Sequence, residues 1–226
     1  MGNIKLDAYK LISLDKIPST QNYALQLIAD GTATNKTVIV ATAQTMGRGR
    51  YRRSWVSHTG NLYASFIFKI YERNPKLSYT MAVAVAETLI SFGIKPQIKW
   101  PNDVLVDDKK ISGILIEYAQ NFVIIGIGIN VKTCPTVKEY QTTKVNDYAS
   151  ASGEDVFGVL MKKIDKWYDA DFCVVKNRWM ELATRINKII TYHGKPMELI
   201  GLNDDGALVL RNDTEYILTY SDEISL

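Results

Sequence analysis

Residues 109–131 read KKISGILIEYAQNFVIIGIGINV. Two runs rich in β-branched residues, 111–118 and 122–131, are separated by Gln120-Asn121. A connection that short suits an antiparallel hairpin. Two more short strands are expected after Pro96, at 97–100 and 104–107, with Asp107-Asp108-Lys109-Lys110 as their turn into the hairpin. The stretch predicts an α+β fold on a mainly antiparallel mixed sheet.

Toward the N-terminus, Ser19 and Thr20 are helix N-cap types, and Tyr23, Ala24, Leu27 and Ile28 recur at helical spacing. The first element is therefore expected to be a helix over 19–29, ended by Asp30-Gly31. Residues 37–41 read as a buried strand and 44–61 as a loop. Residues 62–70 read as a strand with Leu62, Ala64, Phe66, Phe68 and Ile70 on one face. An apolar helix over 77–92 is closed by Gly93. Toward the C-terminus, 133–153 is polar and irregular. Helices are expected near 154–168 and over 172–189, where Phe172, Val175, Trp179, Leu182, Ile186 and Ile189 recur at steps of three and four. Short alternating runs at 197–200, 207–210 and 216–220 read as a small separate β-barrel. The expected domains are 1–188 and 189–226.

The chain of 226 residues carries 27 Lys+Arg against 24 Asp+Glu, a net charge of +3. Its distribution is more informative. Residues 31–71 contain no acid, while Lys36, Arg48, Arg50, Arg52, Arg53 and Lys69 are basic. The remainder is net acidic, so the chain is not a globally basic nucleic-acid binder. No apolar run approaches the roughly 20 residues of a membrane helix, and the N-terminus lacks a signal-peptide pattern. Two cysteines, Cys134 and Cys173, and two histidines, His58 and His193, make neither a disulfide scaffold nor a zinc site. The thiols read as ordinary ones in a cytoplasmic protein.

Four stretches carry chemistry. In Gly47-Arg48-Gly49-Arg50-Tyr51-Arg52-Arg53-Ser54-Trp55, glycines permit close backbone approach and arginines offer planar donors to phosphate or carboxylate. The stretch is either a loop folding around an anion or a solvated Arg-Gly linker. In Lys99-Trp100-Pro101-Asn102-Asp103, Asn102 and Asp103 could hold Mg²⁺ through oxygen or simply make a turn. Lys99 would be awkward in a core unless it faces an anion. Lys110 opens a strand where its side chain can reach into a cleft, and Gly113 marks close approach or a bulge. Gly126 and Gly128 leave one strand face without side chains, fit for a flat group or a second strand, and Asn130 follows as a possible polar reader.

Taken in order, Ser19-Thr20, Gln44 before Gly-Arg-Gly-Arg-x-x-Arg-x-Trp, Lys-Trp-Pro-Asn-Asp, Lys-x-x-Gly-Ile-Leu-x-Glu and Gly-Ile-Gly-Ile-Asn-Val resemble the biotin–protein ligase family over residues 15–131. The resemblance implies a class II synthetase-like catalytic domain followed by a small SH3-like β-barrel. It also implies a two-step reaction, in which ATP and Mg²⁺ activate biotin as biotinyl-5′-AMP and a lysine of a biotin carboxyl carrier domain then takes the biotin. No permanently bound cofactor, no DNA and no membrane are implied, and a homodimer is possible within the family. Ser19, Thr20, Gln21, Gln44, Gly47, Arg48, Gly49, Arg50, Lys110 and Gly113 would be biotin-side. Arg50, Arg53, Trp55, Asn102, Asp103, Lys110 and Asn130 would be ATP-side. Arg50, Arg53 and Lys110 would carry catalysis, and Asp103 would touch the metal. The chain departs from the family at Pro18-Ser19-Thr20-Gln21-Asn22, where Asp-Ser-Thr-Asn is common, and at Tyr220-Ser221-Asp222-Glu223, which lacks a glycine before Glu-Ile-Ser-Leu. Only 18 residues precede Ser19, too few for a helix-turn-helix module, so the ligase-only type is expected.

Two rivals remain: a lipoate–protein ligase using the same adenylating chemistry, and a nucleic-acid-binding module using the basic loop. Trp167 and Trp179 fit helical core stripes, and His58 reads as a loop residue away from ligand. Glu117 could partner Lys110 or be a solvated strand residue.

Overall fold

The structure, a computed structural model, describes residues 9–221 and the backbone of 224–225. A seven-stranded sheet is built from β1 (Lys10–Ile17), β2 (Thr37–Gln44), β3 (Leu62–Lys69), β4 (Gln97–Lys99), β5 (Asp103–Val106), β6 (Lys109–Ala119) and β7 (Phe122–Ile129), ordered β1-β2-β3-β7-β6-β5-β4. Only β1 and β2 are parallel, joined through helix α1 (Thr20–Ala29); every other pairing in this sheet is antiparallel. The expected 111–131 hairpin stands at the centre of the sheet.

One sheet face carries the main core. Phe66 and Phe68 of β3 and Val123, Ile125, Ile127 and Ile129 of β7 pack against the helices α2 (Leu77–Ile90) and α3 (Gly153–Tyr168). α2 is buried nearly all round, as its run of alanines and valines dictates. On the other face α1 sets Ala24 and Ile28 against Ile39, Ile67 and Ile124. That helix covers only part of its face; the rest is left open. β3 is buried on both faces rather than one, because helices lie on both sides of it.

Two sequence expectations need correction. The chain enters the described structure as strand β1, not as a helix. Its mixed pattern and its charges at Lys10, Asp15 and Lys16 suit an exposed edge and hide the strand from a periodicity reading. Helix α4 (Phe172–Leu182) stops well short of 189. There Ala183 turns extended and bridges Ile98, Thr184 N–H donates to the Ile98 carbonyl at 2.8 Å, and Arg185 and Asn187 take positive φ. Tertiary pairing thus overrides the helical repeat at Ile186 and Ile189. The C-terminal strands β8 (Lys188–Tyr192), β9 (Lys195–Leu202), β10 (Leu208–Arg211), β11 (Tyr216–Thr219) and β12 (Ile224–Ser225) form an antiparallel sheet ordered β11-β10-β9-β8-β12. Ile190, Met197, Leu199, Leu208 and Leu210 join the same apolar cluster as α2 and α4. Tyr79 of α2 donates its hydroxyl to the Gly206 carbonyl. This sheet, in the segment where a small β-barrel is expected, packs its apolar side onto the main core. No helix among the described residues is long and apolar enough to cross a membrane.

Glu87 ties three helices together. Its carboxylate meets Arg178 of α4 at 2.6 Å and Lys163 of α3 at 3.3 Å. Burial pushes the carboxyl up, but the two cations outweigh burial and hold it below its ordinary value of 4.5. A depressed carboxyl stabilises the fold above that value and loses its contribution as pH falls through the folded-state value. Glu87→Gln is therefore expected to cost about 1 kcal/mol at pH 7, roughly 2–4 °C in melting midpoint. The gap should close when the melts are repeated at acid pH, and an equal gap at both pH values would show that charge is not what this site contributes.

Candidate active site

Residues that face one another across neighbouring strands share a sheet face. The register places Lys99, Asp103, Gly113, Gly128 and Tyr63 in one row across β4, β5, β6, β7 and β3, and Leu115, Gly126 and Ser65 in the next. Both rows lie on the open face beyond α1. Three glycines in two adjacent rows leave a shallow floor.

Lys110 and Gly113 are three apart and would point to opposite faces of a regular strand. The β5–β6 register shifts there, pairing Val104 with Ser112 but Leu105 with Lys110. Ile111 is the extra residue of this bulge, and the shift turns Lys110 onto the same side as Gly113. Lys110 Nζ meets Asp103 Oδ1 at 2.7 Å and lies 5.3 Å from the Trp55 ring and 5.1 Å from the Tyr140 ring.

The loop after β2 supplies the roof. Arg48 and Ser54 pair antiparallel, Trp55 N–H donates to the Gly47 carbonyl at 2.8 Å, and Gly49 N–H to the Arg53 carbonyl at 2.8 Å. The basic stretch is thus a small hairpin, not a free linker. A Cβ on Gly47 would stand 2.3 Å from the Trp55 carbonyl, so this crossing requires glycine. The hairpin lays Trp55 on the floor: a Cβ on Gly128 would meet its ring at 2.6 Å, and one on Gly113 at 2.9 Å. The flat group expected on the glycine face is the chain's own indole.

Floor and roof enclose a cavity of about 410 Å³. One end is polar and uncharged. Thr20 donates from its N–H and hydroxyl to Gln44 Oε1 at 2.8 and 3.1 Å, and Ser65 Oγ lies 2.9 Å from both Thr20 Oγ1 and Gln21 Oε1. Gln44 Nε2 donates to Ser57 Oγ at 2.9 Å, which donates on to the Trp55 carbonyl at 3.0 Å. Ser19, the N-cap of α1, is buried beside them. Burial pushes the Tyr63 phenol up to about 12, so it stays protonated and donates to the His58 carbonyl at 2.8 Å. The other end is cationic: Lys99, Lys110, Arg50 and Arg53 border the cavity against Asp103, Asp108 and Glu139, while Arg48 borders it nearer α1. Arg50 Nη1 donates to Asn102 Oδ1 at 3.4 Å, and Asn102 Nδ2 to the Ile114 carbonyl at 2.8 Å.

The structure therefore brings Ser19, Thr20, Gln21, Gln44, Arg48, Gly49, Arg50, Arg53, Trp55, Asn102, Asp103, Lys110 and Gly113 to one cavity. Gly47 shapes the loop from outside it. Asn130 lies in an adjoining space of about 260 Å³ bordered by Ser54, Trp55, Lys110 and Tyr140. Its Nδ2 donates to the Thr143 carbonyl at 3.0 Å, and its buried Oδ1 has no partner. Glu117 partners Arg48 rather than Lys110. Ser65 was missed, although a serine amid Leu62–Phe68 was a visible signal. Tyr140 and Ser57 had none, since both belong to irregular segments.

A model described as the Biotin/lipoate A/B protein ligase family matches residues 13–132. The chain is 34% identical over 247 residues to the bifunctional ligase/repressor BirA of Bacillus subtilis, covering 96% of this chain and 74% of that one. It is 29% identical to the biotin–[acetyl-CoA-carboxylase] ligase of Paracoccus denitrificans over 88% of this chain and 92% of the relative. Its fold is similar to that of the biotin protein ligase from Aquifex aeolicus in complex with biotin and ATP, with a TM-score of 0.83 and 27% identity over 96% and 97% of the two chains.

Gly128→Ala is expected to lift the indole off the sheet and red-shift tryptophan emission, with no shift when the same change is made in a Trp55→Phe background. Unaltered emission would mean that the ring does not rest on Gly128.

Proposed function

The chain belongs to the biotin/lipoate A/B protein ligase family, and we propose that it is a biotin–protein ligase. A biotin carboxylate oxygen attacks the α-phosphorus of ATP, the α–β phosphate bond breaks, and pyrophosphate leaves biotinyl-5′-AMP. The ε-amine of an acceptor lysine then attacks the acyl carbon, loses a proton, and AMP departs with the electrons of the broken anhydride bond. The acceptor lysine belongs to a biotin carboxyl carrier domain.

The observation that carries this reading is the grading of one cavity from neutral polar to cationic. A polar, uncharged head suits Ser19, Thr20, Gln21, Gln44 and Ser65, while a carboxylate and a phosphate that must approach one another need fixed cations between them. We assign that role to Arg50, Arg53 and Lys110, which border the cavity. Gly49 lets ligand approach the backbone, while Gly113 seats the Trp55 ring that borders the cavity. The unpartnered Asn130 Oδ1 beside Trp55 suits the exocyclic amine of adenine, which donates where guanine would present an acceptor. We read residues 1–188 as the catalytic part and 189–226 as an accessory β domain in a cytoplasmic enzyme.

Magnesium was expected at Asp103. Among the described residues no group of three or more His, Cys, Asp or Glu is placed to hold a metal, and Asp103 already binds Lys110. Asn102 and Asp103 do not make an all-protein cage, but one carboxylate beside substrate phosphates is a donor set that would hold magnesium. Magnesium that arrives with ATP is carried by phosphate oxygens.

The test is ATP–pyrophosphate exchange with biotin and with lipoate. Exchange with biotin is expected; exchange with lipoate alone would select the other branch of the family, and exchange with neither would remove the adenylation reading. Arg50→Ala should slow the biotin-dependent exchange by about 10²–10³-fold at an unchanged melting midpoint. Full activity would take Arg50 out of the site.

A further inference from the structure

The guanidinium of Arg48 is taken up by the protein itself. Its Nη2 donates to Glu117 Oε1 at 2.6 Å, and its Nη1 donates to Glu117 Oε2 at 3.1 Å and to Asn22 Oδ1 at 2.9 Å. This two-pronged geometry is the directional form of an arginine–carboxylate contact. Glu117 stands on β6 two residues beyond Leu115, on the face that bears the glycines, and Asn22 lies in the first turn of α1. One loop side chain thus joins the sheet and a helix.

Arg48 sits near the base of the 47–55 hairpin, and Arg50 begins its turn. The turn is tight, with Tyr51 and Arg52 at φ of 53° and 60°. Near its base the hairpin meets the floor through Trp55 over Gly113 and Gly128 and through Arg48 on Glu117; its turn reaches Asn102 through Arg50. The first is a packing contact that tolerates sliding. The second fixes direction, and the turn follows the base through the Gly49–Arg53 and Trp55–Gly47 backbone bonds.

We propose that Glu117 is a positioning residue. Acting through Arg48, it pins the base of the hairpin to the sheet, places Arg50 over the cavity and keeps the adenylate from solvent. Arg48 itself serves the loop rather than the ligand's charge. This rests on the ligase reading above.

Glu117→Gln keeps the shape and one acceptor but removes the charge, and Glu117→Ala removes the contact. Trypsin cuts after arginine, so the hairpin reports its own opening without any catalysis. Cleavage after Arg50, Arg52 and Arg53 is expected to be about fivefold faster in both variants, at a melting midpoint close to wild type. With biotin, ATP and a carrier domain, pyrophosphate release should outrun biotin transfer as adenylate escapes. The KM for ATP should rise about tenfold while kcat changes less than about threefold. Arg48→Glu combined with Glu117→Arg should regain protection that each single change loses. Cleavage and pyrophosphate-to-transfer ratios equal to wild type in both Glu117 variants, or a double exchange no better protected than its singles, would overturn the proposal. A wild-type chain that exchanges pyrophosphate with neither acid would remove the ligase reading, while the trypsin comparison still decides whether Glu117 holds the loop.

Discussion

Gly113 and Gly128 face one another across β6 and β7, and the indole of Trp55 occupies the space their missing side chains leave. This close approach governs the site. It sets the height of the 47–55 hairpin above the sheet, and with it where Arg50 can reach. A methyl group at either glycine would stand inside contact distance of a rigid ring. The floor is open because α1 ends its cover at Ala24, Ile28 and their partners Ile39, Ile67 and Ile124.

Gathering five cations around one cavity is repulsive until anions arrive. The fold answers with carboxylates from its own rigid strands. Asp103 of β5 meets Lys110, and Glu117 of β6 meets Arg48. Among the described residues no ion pair joins Lys99 or Arg53 to an acid. The arrangement is held in place before any ligand binds, yet keeps positive charge available for phosphate, which is what an electrostatically preorganised site requires. The opposite end excludes charge by using only hydroxyls and amides, linked from Gln21 through Ser65, Thr20, Gln44 and Ser57 to the Trp55 carbonyl. That chain of bonds couples the neutral pocket to the basic hairpin.

The hairpin over 111–131, the α2 and α3 helices and the basic loop were legible because each depends on local pattern: β-branched runs, helical spacing, glycine among arginines. Strand β1 was not legible, since an edge strand need not alternate. The end of α4 was not legible either, because the Ile98–Ala183 bridge that stops it joins residues far apart in the chain. Most residues that line the cavity could be named from their motifs. Their partners could not: Glu117 read equally well as a partner of Lys110, and Ser65 as one strand residue among many.

The sequence by itself determined most of the elements, the residue types and a local absence of acids between 31 and 71 that foretold a cationic wall. The tertiary structure decided which face each group serves and what it touches. The bulge at Ile111 puts Lys110 beside Gly113, against strand alternation. Long-range register sets Asp103, Gly113, Gly128 and Tyr63 in one row, and loop closure pairs Arg48 with Glu117. The physical reason is range. Backbone preference and hydrophobic period act over a few residues, whereas ion pairs and ring-on-glycine contacts form only after segments tens of residues apart have been brought within a few ångströms.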